Sequence, residues 1–281
     1  MRLAGTGPLS WPLRDITDAV FAIRNRCAIS AEIRFGDRNL RFRCRSRRAL
    51  RRAATLFVKE RGTVQWLSAN IRPGDVVLDI GANVGMYSIL AAALAGPTGH
   101  VFAVEPHIVN AAALLENVAA NGFGEWVSVL TVALGSRIGF ESFNYRDWEI
   151  GSAFSQLGGV TGEGGQEFQP VAREWKPSIT VDGLVAKNAI RPPSIVKLDV
   201  DGLEAGVLAG MTGVLRAASR PRSVQVEISP RARAEIESLM AAHGYRMAAR
   251  HHTMAGKKHI RGGRSELELD HNAVFVPADG A

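Results

Sequence analysis

The chain has 281 residues, 46% of them hydrophobic and 22% charged, a formal net charge of +7 and two cysteines. That is enough material for one sizeable α/β core plus an appendage. It excludes a disulfide framework, since Cys27 and Cys44 form no close pair, and no apolar run nears the ~20 residues that span a bilayer. Met1 to Arg26 mixes Arg, Asp and Pro with short apolar stretches and lacks the pattern of a secretion signal, so the expectation is a cytoplasmic protein with ordinary thiols.

Basicity sits at the front. Residues 34–61 carry eleven Lys/Arg against Asp37 and Glu60, whereas residues 62–281 carry 19 Lys/Arg against 22 Asp/Glu. Leu40, Phe42 and Cys44 alternate with Arg41, Arg43 and Arg45, the pattern of a half-buried strand with a basic outer face. Residues 47–60 then read as a helix, with Leu50, Ala53, Ala54 and Phe57 at helical spacing, and residues 63–70 as a short one. Residues 1–62 are accordingly expected to form a small basic α+β appendage, and residues 63–281 the main domain.

After the turn at Arg72-Pro73-Gly74-Asp75, strands and helices alternate. Strands are expected at 76–80, 101–105, 127–133, 195–200 and 224–228, with helices at 85–95, 110–121, 204–215 and 232–243. Last strands follow at 245–250 and 273–276. Short apolar strands separated by amphipathic helices imply βαβ units and a largely parallel sheet. One interval, 139–177, is rich in glycine and aromatic residues and reads as a long loop, with 144–177 as an insertion over a binding site.

Three places carry chemistry. The first strand runs into Asp79-Ile80-Gly81-Ala82-Asn83-Val84-Gly85. The spacing Asp-x-Gly-x-x-x-Gly suits S-adenosylmethionine better than a dinucleotide, with Gly81 and Gly85 letting backbone approach the ligand. Asn83 offers a small polar group, and Asp79 an acid for an α-ammonium. The second strand ends at Glu105-Pro106, twenty residues past Gly85, where this class of fold keeps its acceptor for the ribose hydroxyls. His107 would flank the adenine, and Ala133 and Leu134 would pack on it.

The third is Lys197-Leu198-Asp199-Val200-Asp201-Gly202-Leu203-Glu204. Lys197, Asp199 and Asp201 share one strand face. A lysine in a central parallel strand needs a partner, and Glu227 on the next strand is the expected one. Asp199 would then face the methyl group and serve as the base. Asp201 and Glu204 fit a capping box first and a metal site second, so no metal is expected.

Together these motifs resemble the FkbM family of S-adenosylmethionine-dependent methyltransferases. Further matching pieces are Asn117 with Asn121-Gly122, Ala133-Leu134-Gly135, Thr180-Val181-Asp182 and Val207-Leu208-Ala209-Gly210. The likeness spans roughly residues 70 to 276. It implies a seven-stranded, Rossmann-like α/β sheet with helices on both faces, acting on a hydroxyl of a small molecule or glycan. Catalysis would fall to Asp199, Lys197 and Glu227. Asp201 stands where the family usually has Glu, and the Arg-rich front segment has no counterpart.

Two other readings compete. The Arg38–Arg52 cluster would track phosphates if the acceptor were RNA or a phosphorylated glycan. Phe35 and Phe42 alternate with the basic face and point inward, leaving few aromatics for base stacking, so a solvated face or a subunit contact is favoured. A non-catalytic binding module is disfavoured because Asp79, Glu105, Lys197 and Asp199 occur together.

Overall fold

In the computed structural model of the protein, the described residues are 29–162, 166–263 and 265–278. Cys27 and the leading segment read above lie outside them. The described chain opens with a hairpin, in which β1 (Ile29–Phe35) pairs antiparallel with β2 (Arg38–Cys44). Helices Arg47–Ala54, Leu56–Lys59 and Arg61–Asn70 follow. The strand order in sequence is then β3 (Val76–Ile80), β4 (His100–Val104), β5 (Val127–Leu130), β6 (Ala133–Leu134), β7 (Gly139–Tyr145), β8 (Gln156–Leu157) and β9 (Ala172–Ile179). It ends with β10 (Ile195–Leu198), β11 (Ser223–Ile228), β12 (Tyr245–His251) and β13 (His271–Pro277).

The central sheet has seven strands in the order β12-β13-β11-β10-β3-β4-β5. From β11 to β5 the neighbours run parallel, and β13 is antiparallel to both its partners. Alternation along each strand feeds two apolar layers. Val77, Val101, Ala103 and Ile195 pack on the Met86–Ala95 and Ile108–Ala120 helices, while Leu78, Ile80, Val104 and Leu198 pack on helices from the chain's second half. Helices therefore cover both faces. The strand order reverses between β3 and β10, so a crevice opens at their carboxyl ends.

The front segment is fastened to this core. Leu40, Phe42, Ala49, Ala53 and Leu56 join the same buried cluster as Ile89, Leu90 and Leu114. Asn117 accepts the backbone N–H of Arg43 at 2.7 Å, and Asn121 accepts that of Arg41 at 2.8 Å. Part of the basic cluster is engaged in ion pairs. Arg41 pairs with Glu32, Arg45 with Glu116, and Arg48 with Asp147 and Glu149.

Some elements differ from expectation. The helix expected over 47–60 breaks at Thr55, whose hydroxyl and N–H both bond the Arg51 carbonyl. The strand expected over 127–133 is split, its end leaving as β6 to join a second sheet, β6-β9-β7-β8. That sheet occupies the interval read as a loop. Its strands were hidden because β7 and β9 leave Phe140 and Trp175 exposed, at 68% and 73%, so the usual apolar-in, polar-out alternation is blurred.

Candidate active site

At the crevice lies a cavity of about 400 Å³, within the range of small-molecule sites. Gly81 and Asn83 form one wall, Glu105 to His107 with Ala133 and Leu134 another, and Asp199, Asp201 and Glu227 a third. Ser152, Ala153, Phe154 and Leu157 close over it from the glycine-rich interval. Three of the four non-glycine residues with left-handed backbone among those described line this cavity: Asn83 (φ 52°), Phe154 (φ 64°) and Asp201 (φ 54°). Such conformations cost energy, of order 1–3 kcal/mol each, and concentrate at functional sites.

The glycine turn is shaped by the protein itself. Gly81 has φ +78°, and a Cβ there would stand 1.7 Å from the Asp199 carbonyl oxygen. At Gly85, φ +84°, it would meet Leu114 at 2.1 Å. Gly81 thus lets the ends of β3 and β10 touch, and Gly85 lets the following helix settle on Leu114. Neither missing side chain makes room for a ligand directly.

Asn83 joins the walls. Its N–H donates to Glu105 Oε2 at 2.7 Å, and its side-chain amide donates to the Ser152 carbonyl at 2.7 Å. Glu105 Oε1 accepts the His107 N–H at 2.8 Å. Each Glu105 oxygen therefore takes one backbone donor and keeps capacity for another, as a diol would require. Burial pushes Glu105 up to about 7, against the pull of those two N–H groups. His107 is packed against Tyr145, Phe143 and Trp148, and its ring nitrogens meet the Asp147 carbonyl and the Asn110 N–H. It is part of the wall, with no free ring nitrogen for chemistry.

Lys197 does not reach the partner first assigned. Its ammonium lies 3.1 Å from Asp199 Oδ2 and 3.6 Å from Asp79 Oδ1. Burial would push it down, but Asp199, Asp79 and Glu60 together hold it above its ordinary value. Asp79, also bonded by Ser88 Oγ at 2.5 Å, is buried in this pair and does not line the cavity. Its expected role on an α-ammonium finds no support in that geometry. Glu227 bonds Asp199 instead. The Asp199 charge and burial push Glu227 well up, so it carries the proton of the pair, while against burial Lys197, the Glu227 hydrogen bond and Arg52 together hold Asp199 below the usual range.

Asp201 and Glu204 do not form the expected capping box. Glu204 Oε1 accepts the N–H groups of Val200 and Gly202, folding the loop back on itself. Asp201 turns into the cavity, where Oδ2 accepts the Phe154 N–H at 2.6 Å. Burial, and then the Asp199 charge, raise it to about 6. The sequence signal that assigns it to the site is its position two residues past Asp199, which capping obscured. Asp199, Asp201 and Glu227 present carboxylate oxygens within 4.8 Å of one another. A hard cation takes such ligands, although Lys197 and the Glu227 proton already offset much of the charge.

Comparison with known proteins supplies the family. The profile of the methyltransferase FkbM domain matches residues 79–247. Relatives include the 31-O-demethyl-FK506 methyltransferase FkbM of Streptomyces tacrolimicus, 29% identical over 64% of this chain and 75% of that protein. The hexuronic acid methyltransferase AglP of Haloferax volcanii is 28% identical over 56% of this chain, which spans 59% of that relative. Among solved structures, methyltransferase FkbM from Methylobacillus flagellatus aligns over 82% of this chain and 62% of its own, at 12% identity and TM-score 0.45. Among the described residues, no helix is long and apolar enough to cross a membrane.

Proposed function

The chain belongs to the FkbM methyltransferase family, and from that premise we propose that it moves the methyl group of S-adenosylmethionine onto a hydroxyl oxygen of a small molecule or sugar. The observation that carries this reading is one cavity faced both by the half-satisfied Glu105 carboxylate and by the Asp199, Asp201 and Glu227 carboxyls. The names of the relatives support it, one specifying a 31-O position and the other a hexuronic acid.

The residues present fit the donor. Glu105 would take the ribose diol on its spare lone pairs, with Pro106, Ala133 and Leu134 beside the adenine. When bound, the donor supplies an activated methyl group on a sulfonium. The protein's share is then alignment, exclusion of water and control of one proton. Phe154 and Leu157 line the cavity from the glycine-rich interval, where they would help exclude bulk water from the reacting atoms.

Asp199, held ionised by Lys197, accepts the hydrogen bond of the acceptor hydroxyl and orients it. Asp201 is the stronger base of the two and takes the proton, its raised value placing it close to the working pH. Both oxygens lie near enough for a single hydroxyl to meet them together. An acidic wall also disfavours an anionic acceptor group at this end and favours neutral hydroxyls.

The test is turnover. Incubation with S-adenosylmethionine and a panel of sugars and hydroxylated small molecules should release S-adenosylhomocysteine with at least one class. A chain that binds the donor product but turns over none of them would be a binding module. Phosphate tracking by the front segment gains no support from the arginine pairings described above.

A further inference from the structure

We infer that Arg52, on a helix ahead of the region matched by the family profile, holds the carboxylate of the donor's aminoacyl group; the inference rests on the donor-site reading above and extends it. Arg52 is half-buried on the Arg47–Ala54 helix, and its Nε donates to the Gly151 carbonyl at 3.0 Å. That bond fixes the guanidinium plane. The terminal nitrogens have no acceptor among the described residues, and Arg52 forms no ion pair with a described carboxylate, although the chain's front is otherwise rich in them.

The free edge of Arg52 borders the main cavity and a smaller chamber beneath the glycine turn. That chamber is walled by Gly81, Asn83, Tyr87, Lys197 and Asp199. The Arg52 charge also reaches Asp199, Glu105 and Asp201 without bonding any of them, helping to lower the first and partly opposing the rise of the other two, which fits a cation facing the site. A guanidinium with two unspent donors on one edge matches a carboxylate in geometry and charge.

The chamber identifies whose carboxylate it is. Glu60, which also borders it, is held by the Tyr87 hydroxyl at 2.9 Å, and Asp199 stands across from it in the same lining. Arg52 and Glu60 together suit the paired charges of an α-amino acid, which the donor carries and a sugar does not. Lys59 is a lesser candidate, since it is exposed and already paired with Glu60 at 3.3 Å. The front helix is thus a wall of the donor site, supplied by a segment outside the family match.

Calorimetry with two thioethers tests this. S-adenosylhomocysteine has the aminoacyl group, and 5′-methylthioadenosine lacks it. In Arg52→Met, affinity for S-adenosylhomocysteine should fall about tenfold or more, the weight of a charge-assisted hydrogen bond, while affinity for 5′-methylthioadenosine stays at the wild-type value. Arg52→Lys should recover part of the loss. Unchanged S-adenosylhomocysteine affinity in Arg52→Met overturns the inference and leaves the donor site standing. An equal loss for both ligands also overturns it, marking Arg52 as structural. A wild-type chain that binds neither ligand removes the donor-site reading and the inference together.

Discussion

The Lys197 ammonium sits between Asp199, 3.1 Å away just past the end of its own strand, and Asp79, 3.6 Å away on the neighbouring strand, so one buried cation joins the ends of β10 and β3. Asp79 is buried and does not line the cavity. The lysine pairs with one acid inside the sheet and holds the other ionised at the site.

Removing that cation should therefore be a stability lesion before it is a catalytic one. Lys197→Met leaves Asp79 and Asp199 without a cationic partner, and breaking a buried pair costs about 3–5 kcal/mol. Urea unfolding should show that loss. The double variant Lys197→Met with Asp79→Asn should recover a good part of it, because no uncompensated charge then remains at Asp79.

Two glycines with similar backbone should respond very differently. Gly81→Ala combines a left-handed φ with a Cβ 1.7 Å from the Asp199 carbonyl oxygen, so β3 and β10 must separate. Gly122 has φ +67° with nothing within 4 Å of an added Cβ. Its alanine variant should cost only about 1–2 kcal/mol of backbone strain. Thermal melts should show Gly81→Ala far less stable than Gly122→Ala, or not folded at all.

Stability should fall across neutral pH in the unliganded protein. Glu105 and Glu204 are both raised to about 7, chiefly by burial. In the unfolded chain a glutamate titrates near ~4.3. The folded state therefore holds their protons more tightly. Their stabilising contribution is complete below about pH 4 and is lost as pH rises through about 7. Asp75 and Asp199 have the opposite sign, since both are lowered and lose their contribution on acidification. The melting temperature should peak in between and decline toward pH 8. Glu204→Gln should flatten that decline.

Asp201 as base predicts an acid limb in the rate. With S-adenosylmethionine saturating, turnover should drop below about pH 6 as Asp201 protonates. Asp201→Asn should lower kcat by about 10²-fold or more and remove the limb, with donor-product affinity little changed. Asp199→Asn should also lower kcat, but the acid limb should persist, moved to lower pH because the Asp199 charge that helps raise Asp201 is gone. A limb that survives in Asp201→Asn would assign the proton elsewhere.

The three-carboxylate cluster has its own control. With Lys197 and the Glu227 proton supplying positive charge, turnover should be the same after exhaustive chelation as before. Activity lost to chelator and restored by magnesium would make Asp199, Asp201 and Glu227 metal ligands.

The sheet was readable because β3, β4, β10 and β11 are short apolar runs ending in turns, spaced by helical periods. Glu105 was readable from its distance to the glycine turn. Residues whose position depends on long-range packing were not. Arg52 is one of many arginines in its stretch, and only the docking of its helix beside Gly151 brings it to the cavity. Asp201 fitted a helix cap locally, yet Glu204 closes that loop and frees Asp201 for the site. Asp79 kept its place at the strand end, but the neighbouring strand's lysine captured it.

The most direct test is a crystal structure of the protein grown with S-adenosylhomocysteine. The account predicts the ligand between the Gly81–Asn83 turn and Glu105, its ribose diol on the Glu105 carboxylate and its sulfur turned toward Asp199 and Asp201. A ligand bound elsewhere, or a crevice filled by residues 152–157 with Glu105 still held only by its two backbone donors, would contradict it.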